Sequence, residues 1–493
     1  MPGRGGPVHA AGGQAAAVRL SVGFTSEHAL AAALRATSAV VVRVVPALHV
    51  AELRATSPAA AVRLRRAPGI RFVQRTAARL SVAEPGLTLA SLTPRAVGEW
   101  QYRATQTDAV APAVLRAASS MTIAVIDTGA DVTAPDIAAK SPATYNTRDG
   151  SGDVHDTNGH GTFVASLAAG SVTNGDGIAG AGGDAHLLVV KSGSGNGAFT
   201  DVDEAAGIVY AVDHGAKIIN LSVGGTSTST TERSAIAYAA DHGVLIVAAA
   251  GNEGAAGNPV EYPAALLQPD GSNGVGGSGL SVTASTSTGE RASFANTGSW
   301  ISLAAPGENV FGAVSQLSSP TVYPRSALPG AQSGSYGYAS GTSFAAPQVA
   351  GAAALVWAAN PALTAQQVAQ ILKQTASGHG AWTRELGFGV VDVAAAVAQA
   401  QAGAQGVLLS GTRVDTKVRL SWSGSAPRYS LSFSIDSGAM RTILSATSQT
   451  SLTMTLARGH TYAFSVAALD AVGVQTATSA PLMLSVAPAR SRH

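Results

Sequence analysis

The sequence lacks cysteine altogether, and it has few aromatic and few charged residues. Its 493 residues include no Cys, 5% aromatic residues and 12% charged residues. The missing cysteines exclude disulfide bonds, thiolate metal sites and a cysteine nucleophile. No run of about 18 apolar residues occurs, so we do not expect a transmembrane helix. The net charge of +2 provides no basic footprint, which argues against nucleic acid as a partner.

The first residues do not resemble a secretory signal. They contain an arginine, but the apolar stretch of about 7–15 residues that a signal peptide requires does not follow it. The sequence by itself therefore leaves two locations open, namely a cytoplasmic protein and a secreted protein whose true start lies upstream.

Charge is distributed unevenly along the chain. Residues 1–83 hold 11 Arg and 2 Glu, whereas residues 121–400 hold 9 basic and 21 acidic residues. Blocks of opposite sign indicate separate folding units, and this length suggests about two to four domains. We therefore predict four regions, which are 1–83, 84–120, 121–404 and 405–493.

Residues 1–83 are predicted to form a small α+β unit. Short apolar runs at 18–24 and 39–45 are typical of strands, and helical spacing follows at 48–56 and 58–66. The stretch near 84–96 contains Pro and Thr and is interpreted as a linker.

Residues 121–404 are predicted to form an α/β domain with a mostly parallel sheet and helices on both faces. Short apolar runs alternate there with helical segments, which is the pattern of βαβ units. The predicted strands are 122–127, 186–191, 216–223, 243–251, 280–286 and 300–307. Residues 405–493 contain short strands of period two separated by turns, which predicts an antiparallel β-sandwich.

Four polar residues lie at predicted strand ends and helix starts, where such a fold places its chemistry. Asp127 ends a buried strand, and Asn252 directly follows another. His160 lies at the start of a predicted helix, where the helix dipole disfavours its cation and keeps the imidazole neutral, as a general base requires. Ser343 opens another predicted helix, where backbone N–H groups could stabilise an oxyanion beside a nucleophile. Taken singly, each of the four also has a structural explanation as a turn or capping residue.

Together, these residues occur in the order Asp, His, Asn, Ser on a parallel α/β sheet, and the segments around them resemble those of the subtilisin-like serine proteases, or subtilases. The matching segments are IAVIDTGADVTAPDI (123–137), NGHGTFVASLAAG (158–170), NLSVGG (220–225), AAAGNEG (248–254), LAAPG (303–307) and GTSFAAPQVAG (341–351). The resemblance implies that Ser343 attacks the scissile carbonyl, His160 transfers the proton and Asp127 orients the imidazolium. It also implies that the Asn252 side chain and the Ser343 N–H stabilise the oxyanion.

The same resemblance implies how polypeptide substrates bind. Ser222, Val223 and Gly224 match the family's substrate-pairing strand, to which an extended chain adds as a β-strand. No cofactor is expected for the chemistry. Asp136 and Asn174 match residues of a family calcium site, which leaves two expectations, a structural calcium ion and a glycine-rich turn without metal.

The flanking regions carry resemblances of their own. Residues 18–76 are similar to the inhibitory propeptide of subtilases, and residues 406–488 are similar to a fibronectin type III domain with Trp422 in its core and Tyr462 at a tyrosine corner. The resemblance implies a secreted, monomeric serine endopeptidase made as an autoprocessed zymogen that its own propeptide inhibits in cis or in trans. The alternatives are an inactive subtilase-like binding scaffold and a cytoplasmic processing protease.

Overall fold

The computed structural model describes most of the chain between residues 18 and 486. The positions it does not describe are 1–17, 56, 82–98, 175–176, 327–334, 406, 415, 425, 437, 480 and 487–493. The linker predicted near 84–96 therefore lies outside the described residues. The described residues form two compact units: one runs up to Ala77 and includes Ser229–Thr231, and the other comprises Ala78–Thr228 and the residues from Glu232 onwards.

The first unit is an antiparallel sheet with two helices. Both helices begin after a serine, Ser26 or Ser57, whose hydroxyl accepts a backbone N–H of the first turn. Apolar side chains of the sheet and the helices close one core. The elements are β1 (Val18–Phe24), α1 (Glu27–Arg35), β2 (Ala39–Val45), β3 (Val50–Ala55), α2 (Pro58–Arg66) and β4 (Ile70–Arg75), with strand order β2-β3-β1-β4.

The prediction of a helix at 48–56 was wrong. These residues form the end of a short 3-10 turn, Pro46–Leu48, followed by β3, which pairs with β1 on one side and with β2 on the other. This position buries Glu52, whose Oε1 is 2.9 Å from Nη1 of Arg19. The apolar spacing fitted a helix, but tertiary packing at the centre of a sheet overrides such a local pattern.

In the second unit, the residues up to Gln405 contain three sheets, and two further sheets follow from Val407 onwards. The strands are β5 (Ala78–Ser81), β6 (Thr122–Asp127), β7 (Ala143–Asn146), β8 (His186–Lys191), β9 (Ala198–Thr200), β10 (Ile218–Leu221), β11 (Val223–Gly224), β12 (Leu245–Ala249), β13 (Leu280–Ser285), β14 (Leu303–Pro306), β15 (Val310–Ala313), β16 (Arg325–Ser326) and β17 (Tyr336–Ala339). The helices are α3 (Trp100–Ala104), α4 (Pro112–Ala117), α5 (Pro135–Ala138), α6 (His160–Ala169), α7 (Asp201–Asp213), α8 (Thr230–Asp241), α9 (Ala264–Leu267), α10 (Thr342–Ala359), α11 (Ala365–Thr375) and α12 (Val393–Gln405).

The large sheet has seven strands in the order β14-β13-β12-β10-β6-β8-β7, and each neighbouring pair is parallel. The predicted fold class, a parallel sheet with helices, is therefore confirmed. The strand β7 was missed because its sequence, ATYN, is polar and partly exposed at the sheet edge, so that it shows no apolar run. Two small antiparallel sheets, β11-β5-β9 and β15-β17-β16, accompany the large one.

Helix α10 lies at the centre of the second unit, where it packs against α6, β12 and β13. Alanine and glycine dominate its sequence, and their small side chains allow close approach to the neighbouring elements. Among the described residues, no helix combines the length and the apolar character needed to cross a bilayer.

The C-terminal part consists of two antiparallel sheets with an apolar core between them. Trp422 and Phe464 are buried in this core, and the hydroxyl of Tyr462 accepts the backbone N–H of Ala457 at 2.9 Å. A contact to α11 is made by Gln367, whose Nε2 donates to Ser423 at 3.0 Å. The strands are β18 (Val407–Val414), β19 (Lys417–Gly424), β20 (Arg428–Ile435), β21 (Arg441–Thr447), β22 (Ser451–Thr455), β23 (Thr461–Leu469), β24 (Gln475–Thr478) and β25 (Leu482–Ser485).

Candidate active site

Asp127 and His160 meet at the carboxyl end of the central strand β6. Asp127 Oδ1 accepts the backbone N–H of Thr128 at 2.7 Å and His160 Nδ1–H at 2.8 Å. Both side chains are 1% exposed. Because Nδ1 donates to the carboxylate, the neutral ring presents Nε2 as its proton acceptor, which is the tautomer a general base needs.

Ser343 lies in the first turn of α10. The helix begins at Thr342, and Pro347 lies inside it. Because proline has no N–H, it cannot donate to the carbonyl of Ser343 four residues before it. That carbonyl instead accepts the hydroxyl of Ser222 at 2.7 Å, and Ser343 Oγ donates to the Ser222 carbonyl at 3.3 Å. Pro347 thus frees the backbone group that joins the serine to β11.

Asn252 is oriented towards the start of the same helix. Its Oδ1 accepts the backbone N–H of Thr342 at 2.9 Å and the Thr342 hydroxyl at 3.0 Å. The amide nitrogen therefore faces Gly341, where an added Cβ would lie 3.2 Å from Nδ2. The structure thus places the amide N–H donor of Asn252 beside Gly341, which lies two residues before Ser343 in the chain. From there the donor could stabilise an anion formed at the serine.

The phenyl ring of Phe344, next to Ser343, lies against the imidazole of His160. The ring centroids of Phe344 and His160 are 5.6 Å apart, and those of Phe344 and Phe163 are 4.6 Å apart. Apolar packing of this kind fixes the imidazole and excludes water from its face. The structure therefore brings together all four residues that the sequence singled out.

The predicted substrate-pairing strand is already paired with another segment of the chain. β5 lies between β11 and β9 and is antiparallel to both, with Ser81 opposite Val223 and Leu80 opposite Gly224. The N–H of Ser81 also donates to the Gly197 carbonyl at 2.9 Å. Because Ser222 bonds to Ser343, the Ser81 end of β5 is directed towards the nucleophile.

The side chain of Arg79 in β5 fills a buried acidic site that the sequence did not reveal. Its Nε lies 3.1 Å from Glu204 Oε2, and its Nη2 lies 2.6 Å from Glu232 Oε1. All three side chains have no exposed surface. Burial lowers the pKa of Arg79, but the charges of Glu204 and Glu232 outweigh this effect and leave the pKa raised. Burial, with the neighbouring charge of Glu232, raises the pKa of Glu204.

Asp136 and Asn174 also lie together. Asn174 Nδ2 donates to Asp136 Oδ1 at 2.9 Å, and the N–H of Ile178 donates to Oδ2 at 3.3 Å. A further carboxylate that the sequence did not indicate, Glu99, accepts the N–H of Ala179 at 2.7 Å. Burial, and then the charge of Asp136, raise the pKa of Glu99 to about 8. Asp136, Asn174 and Glu99 thus lie near one another, and in the described part of the chain no group of three or more His, Cys, Asp or Glu residues is placed to hold a metal ion.

We compared the sequence with known protein families and with characterised proteins to find what this chain is similar to. Residues 118–389, more than half of the chain, match the Subtilase family. The chain is 36% identical over 272 residues to the thermophilic serine proteinase of Bacillus sp. (strain AK1). The matched segment covers 55% of this chain and 60% of that protein. It is 34% identical over 270 residues to thermitase of Thermoactinomyces vulgaris, and this match covers 54% of this chain and 85% of thermitase.

A solved structure extends the likeness of the fold. The crystal structure of fervidolysin from Fervidobacterium pennivorans superimposes with a TM-score of 0.65 at 24% identity, over 95% of this chain and 74% of fervidolysin. This likeness concerns the fold. The family match over residues 118–389, in agreement with the arrangement of Asp127, His160, Asn252 and Ser343, leads to one conclusion: the chain belongs to the Subtilase family.

Proposed function

We propose that the protein is a serine endopeptidase that hydrolyses polypeptides through Asp127, His160 and Ser343. The observation that carries the proposal is the 2.8 Å contact between Asp127 Oδ1 and His160 Nδ1, in a buried site beside Ser343. The antiparallel pairing of β5 with β11 supports it, because the same pairing would hold an extended substrate.

In the acylation step, Ser343 Oγ attacks the scissile carbonyl and His160 Nε2 accepts the hydroxyl proton. The carbonyl oxygen becomes an oxyanion, which the Asn252 amide and the Ser343 N–H stabilise. Asp127 stabilises the imidazolium that forms. When the carbon–nitrogen bond breaks, His160 returns the proton to the leaving amine.

In the deacylation step, His160 accepts a proton from water, and the hydroxide attacks the acyl-enzyme ester. The ester bond breaks, and the imidazolium returns the proton to Ser343 Oγ. Each cycle thus adds one water to one peptide bond and regenerates the enzyme. No cofactor takes part in these steps.

The segment around β5 supports a zymogen. It lies antiparallel to β11 with its chain directed towards Ser343, so a chain held there would exclude substrate. We propose that residues 1–83 act as an autoprocessed propeptide that inhibits in cis and, after cleavage, in trans. The opposite charges of residues 1–83 and 121–400 would speed association, so high salt should weaken inhibition in trans.

The remaining expectations belong to the same proposal. Calcium would be held by Asp136, Asn174 and Glu99, where it would offset the mutual repulsion of the carboxylates and stabilise the fold. The C-terminal sandwich would be a fibronectin type III-like module, for which the Tyr462 contact to Ala457 is typical. We further propose a secreted monomer that acts on unfolded polypeptides.

The decisive experiment compares wild type with Ser343→Ala. We expect the wild type to cleave casein and to be labelled by a serine-directed sulfonyl or phosphonyl fluoride, and Ser343→Ala to lose both properties. Ser287→Ala, at an exposed serine after β13, is the matched control and should keep both. A folded wild-type protein that neither cleaves nor is labelled would instead support the inactive scaffold.

A further inference from the structure

The strand β5 alternates between a buried and an exposed side chain. Arg79 has no exposed surface, whereas its neighbour Leu80 is 55% exposed. The backbone of β5 makes ladder contacts that any extended chain could make, and such contacts carry no sequence information. The side chain at the position of Arg79 is therefore the one that the protein surrounds, and selectivity in this part of the cleft depends on it.

Three acidic residues surround that position, and we call them the acidic subsite: Asp201, Glu204 and Glu232. Two of them contact the guanidinium directly: Nε donates to Glu204 Oε2 and to Glu232 Oε1, both at 3.1 Å, and Nη2 lies 2.6 Å from Glu232 Oε1. The charge of Asp201 also acts on Arg79. Glu232 is fixed in turn, since its Oε2 accepts the hydroxyl of Thr228 at 2.6 Å.

The shape of the subsite fits arginine better than lysine. Its two carboxylates lie along the edge of the planar group that carries Nε and Nη2, and a rigid fork of donors matches this arrangement better than the compact charge of an ammonium. The third nitrogen, Nη1, donates to the carbonyl of Ala78 at 2.9 Å. Space for it depends on Gly225, where an added Cβ would lie 3.2 Å from Nη1 and 2.7 Å from the Ala78 carbonyl oxygen.

The register of the strand sets the distance from the subsite to the cleaved bond. Leu80 is opposite Gly224 and Ser81 is opposite Val223, and the residue before Val223 is Ser222, which bonds to Ser343. A substrate in the same register would place its next residue opposite Ser222 and the following peptide bond at Ser343. Its residue in the acidic subsite would then be the fourth before the scissile bond.

We propose that the acidic subsite makes this protease select polypeptides that carry arginine at the fourth residue before the cleaved bond. The inference rests on the proposed endopeptidase function and adds a substrate class to it. Without arginine, the buried carboxylates either lose their partner or must take up protons, and both cost binding energy that the substrate would otherwise supply.

The test compares tetrapeptide p-nitroanilides of sequence Arg-Leu-Ser-Val with those that carry Lys or Met in the first position. For the processed wild-type protein we expect kcat/KM to be about 10²-fold higher with Arg than with Met, and lower with Lys than with Arg. In Glu204→Gln/Glu232→Gln, the Arg-to-Met ratio should fall to within about threefold. Asp241→Asn, an exposed charge at the other end of α8, should leave the ratio unchanged.

The outcomes separate the two proposals. Equal rates for the Arg and Met peptides in an active wild type would overturn the selectivity and leave the endopeptidase function standing. Absence of any hydrolysis, of peptides and casein alike, would overturn the endopeptidase function. If the double variant does not fold, the wild-type ratio and the single variant Glu204→Gln decide the question.

A second measurement does not depend on activity. In the full chain with Ser343→Ala, we expect Arg79→Met to lower the Tm by several degrees, because it leaves buried carboxylates without their cation. Adding Glu204→Gln and Glu232→Gln to Arg79→Met should restore most of the loss. An unchanged Tm for Arg79→Met would show that the subsite does not recognise arginine.

Discussion

The two ends of the cleft both contain buried carboxylates, but these carboxylates are paired in different ways. At the catalytic end, Asp127 is bonded to the backbone of Thr128 and to His160, which belong to the same rigid core. At the other end, Glu204 and Glu232 are bonded to Arg79, which lies on the separate strand β5. A carboxylate with a permanent partner orients a group, whereas a carboxylate pair whose partner can be removed is a receptor for a cation.

The largest effect is expected from a test of the orienting role of Asp127, which distinguishes the catalytic end of the cleft from the acidic subsite. In Asp127→Asn, we expect kcat to fall about 10⁴-fold, the size of the effect in another triad protease, because an amide favours the wrong imidazole tautomer. The peptide with Arg at the acidic subsite should still be preferred to the Met peptide. The kinetics of both peptides, measured on the same preparation, check this expectation.

A loss of only a few-fold would contradict the role of Asp127. A loss of the preference for Arg in this variant would show that the two ends of the cleft are not independent. The Tm of Asp127→Asn serves as the control for folding, since the isosteric amide keeps the shape of the side chain.

The oxyanion donor is the next test, with a smaller expected effect. In Asn252→Ala we expect kcat to fall about 10²–10³-fold with little change in KM, which is the magnitude measured for the asparagine of subtilisin. Asn252→Asp is the matched variant, because it keeps an oxygen that can accept the Thr342 N–H but offers no amide donor. Activity that is retained in Asn252→Asp would show that the donor is not required.

The sequence predicted the residues at the catalytic end of this cleft, but it did not reveal the acidic subsite at the other end. Asp127, His160, Asn252 and Ser343 each lie in a local pattern, at a strand end or a helix start, that can be identified without the rest of the fold. The acidic subsite has no such local pattern, because Arg79 is 125 residues from Glu204 and 153 from Glu232 along the chain.

The errors in the fold have the same origin. The central strands of the parallel sheet were predicted because burial on both faces leaves a continuous apolar run. β3, which lies inside its sheet, was predicted as a helix, and β7, at a sheet edge, was missed, because the pairing of a strand with its neighbours is not encoded in the residues of that strand alone. Contacts between distant segments, rather than local propensity, decide these positions.

The pH dependence of selectivity sharpens the comparison further. Burial, Glu232 and Asp201 raise the pKa of Glu204, and burial raises the pKa of the nearby Glu261 to about 7. A carboxyl group with a raised pKa is neutral at lower pH and becomes an anion as the pH rises, and only the anion attracts a guanidinium. We therefore expect the Arg-to-Met ratio of kcat/KM to increase by roughly tenfold from about pH 6 to about pH 9.

Taking a ratio removes the contribution of His160, which affects both peptides equally. In Glu204→Gln the rise should be much smaller, whereas Asp241→Asn should behave as the wild type does. A ratio that stays constant over this range in the wild type would contradict an ionisable subsite.

The smallest effect is expected from removal of the C-terminal sandwich. The cleft is built by residues between Ala78 and Gln348, and the sandwich contacts α11 through Gln367 and Ser423. A chain that stops after Gln405 keeps α12 whole, and the peptidase part retains its own large core. We expect kcat/KM for the Arg peptide to stay within about twofold of the full chain, because no element of the cleft is removed. A folded truncation, verified by its Tm, that lost peptide hydrolysis would show that the sandwich completes the peptidase rather than accompanying it.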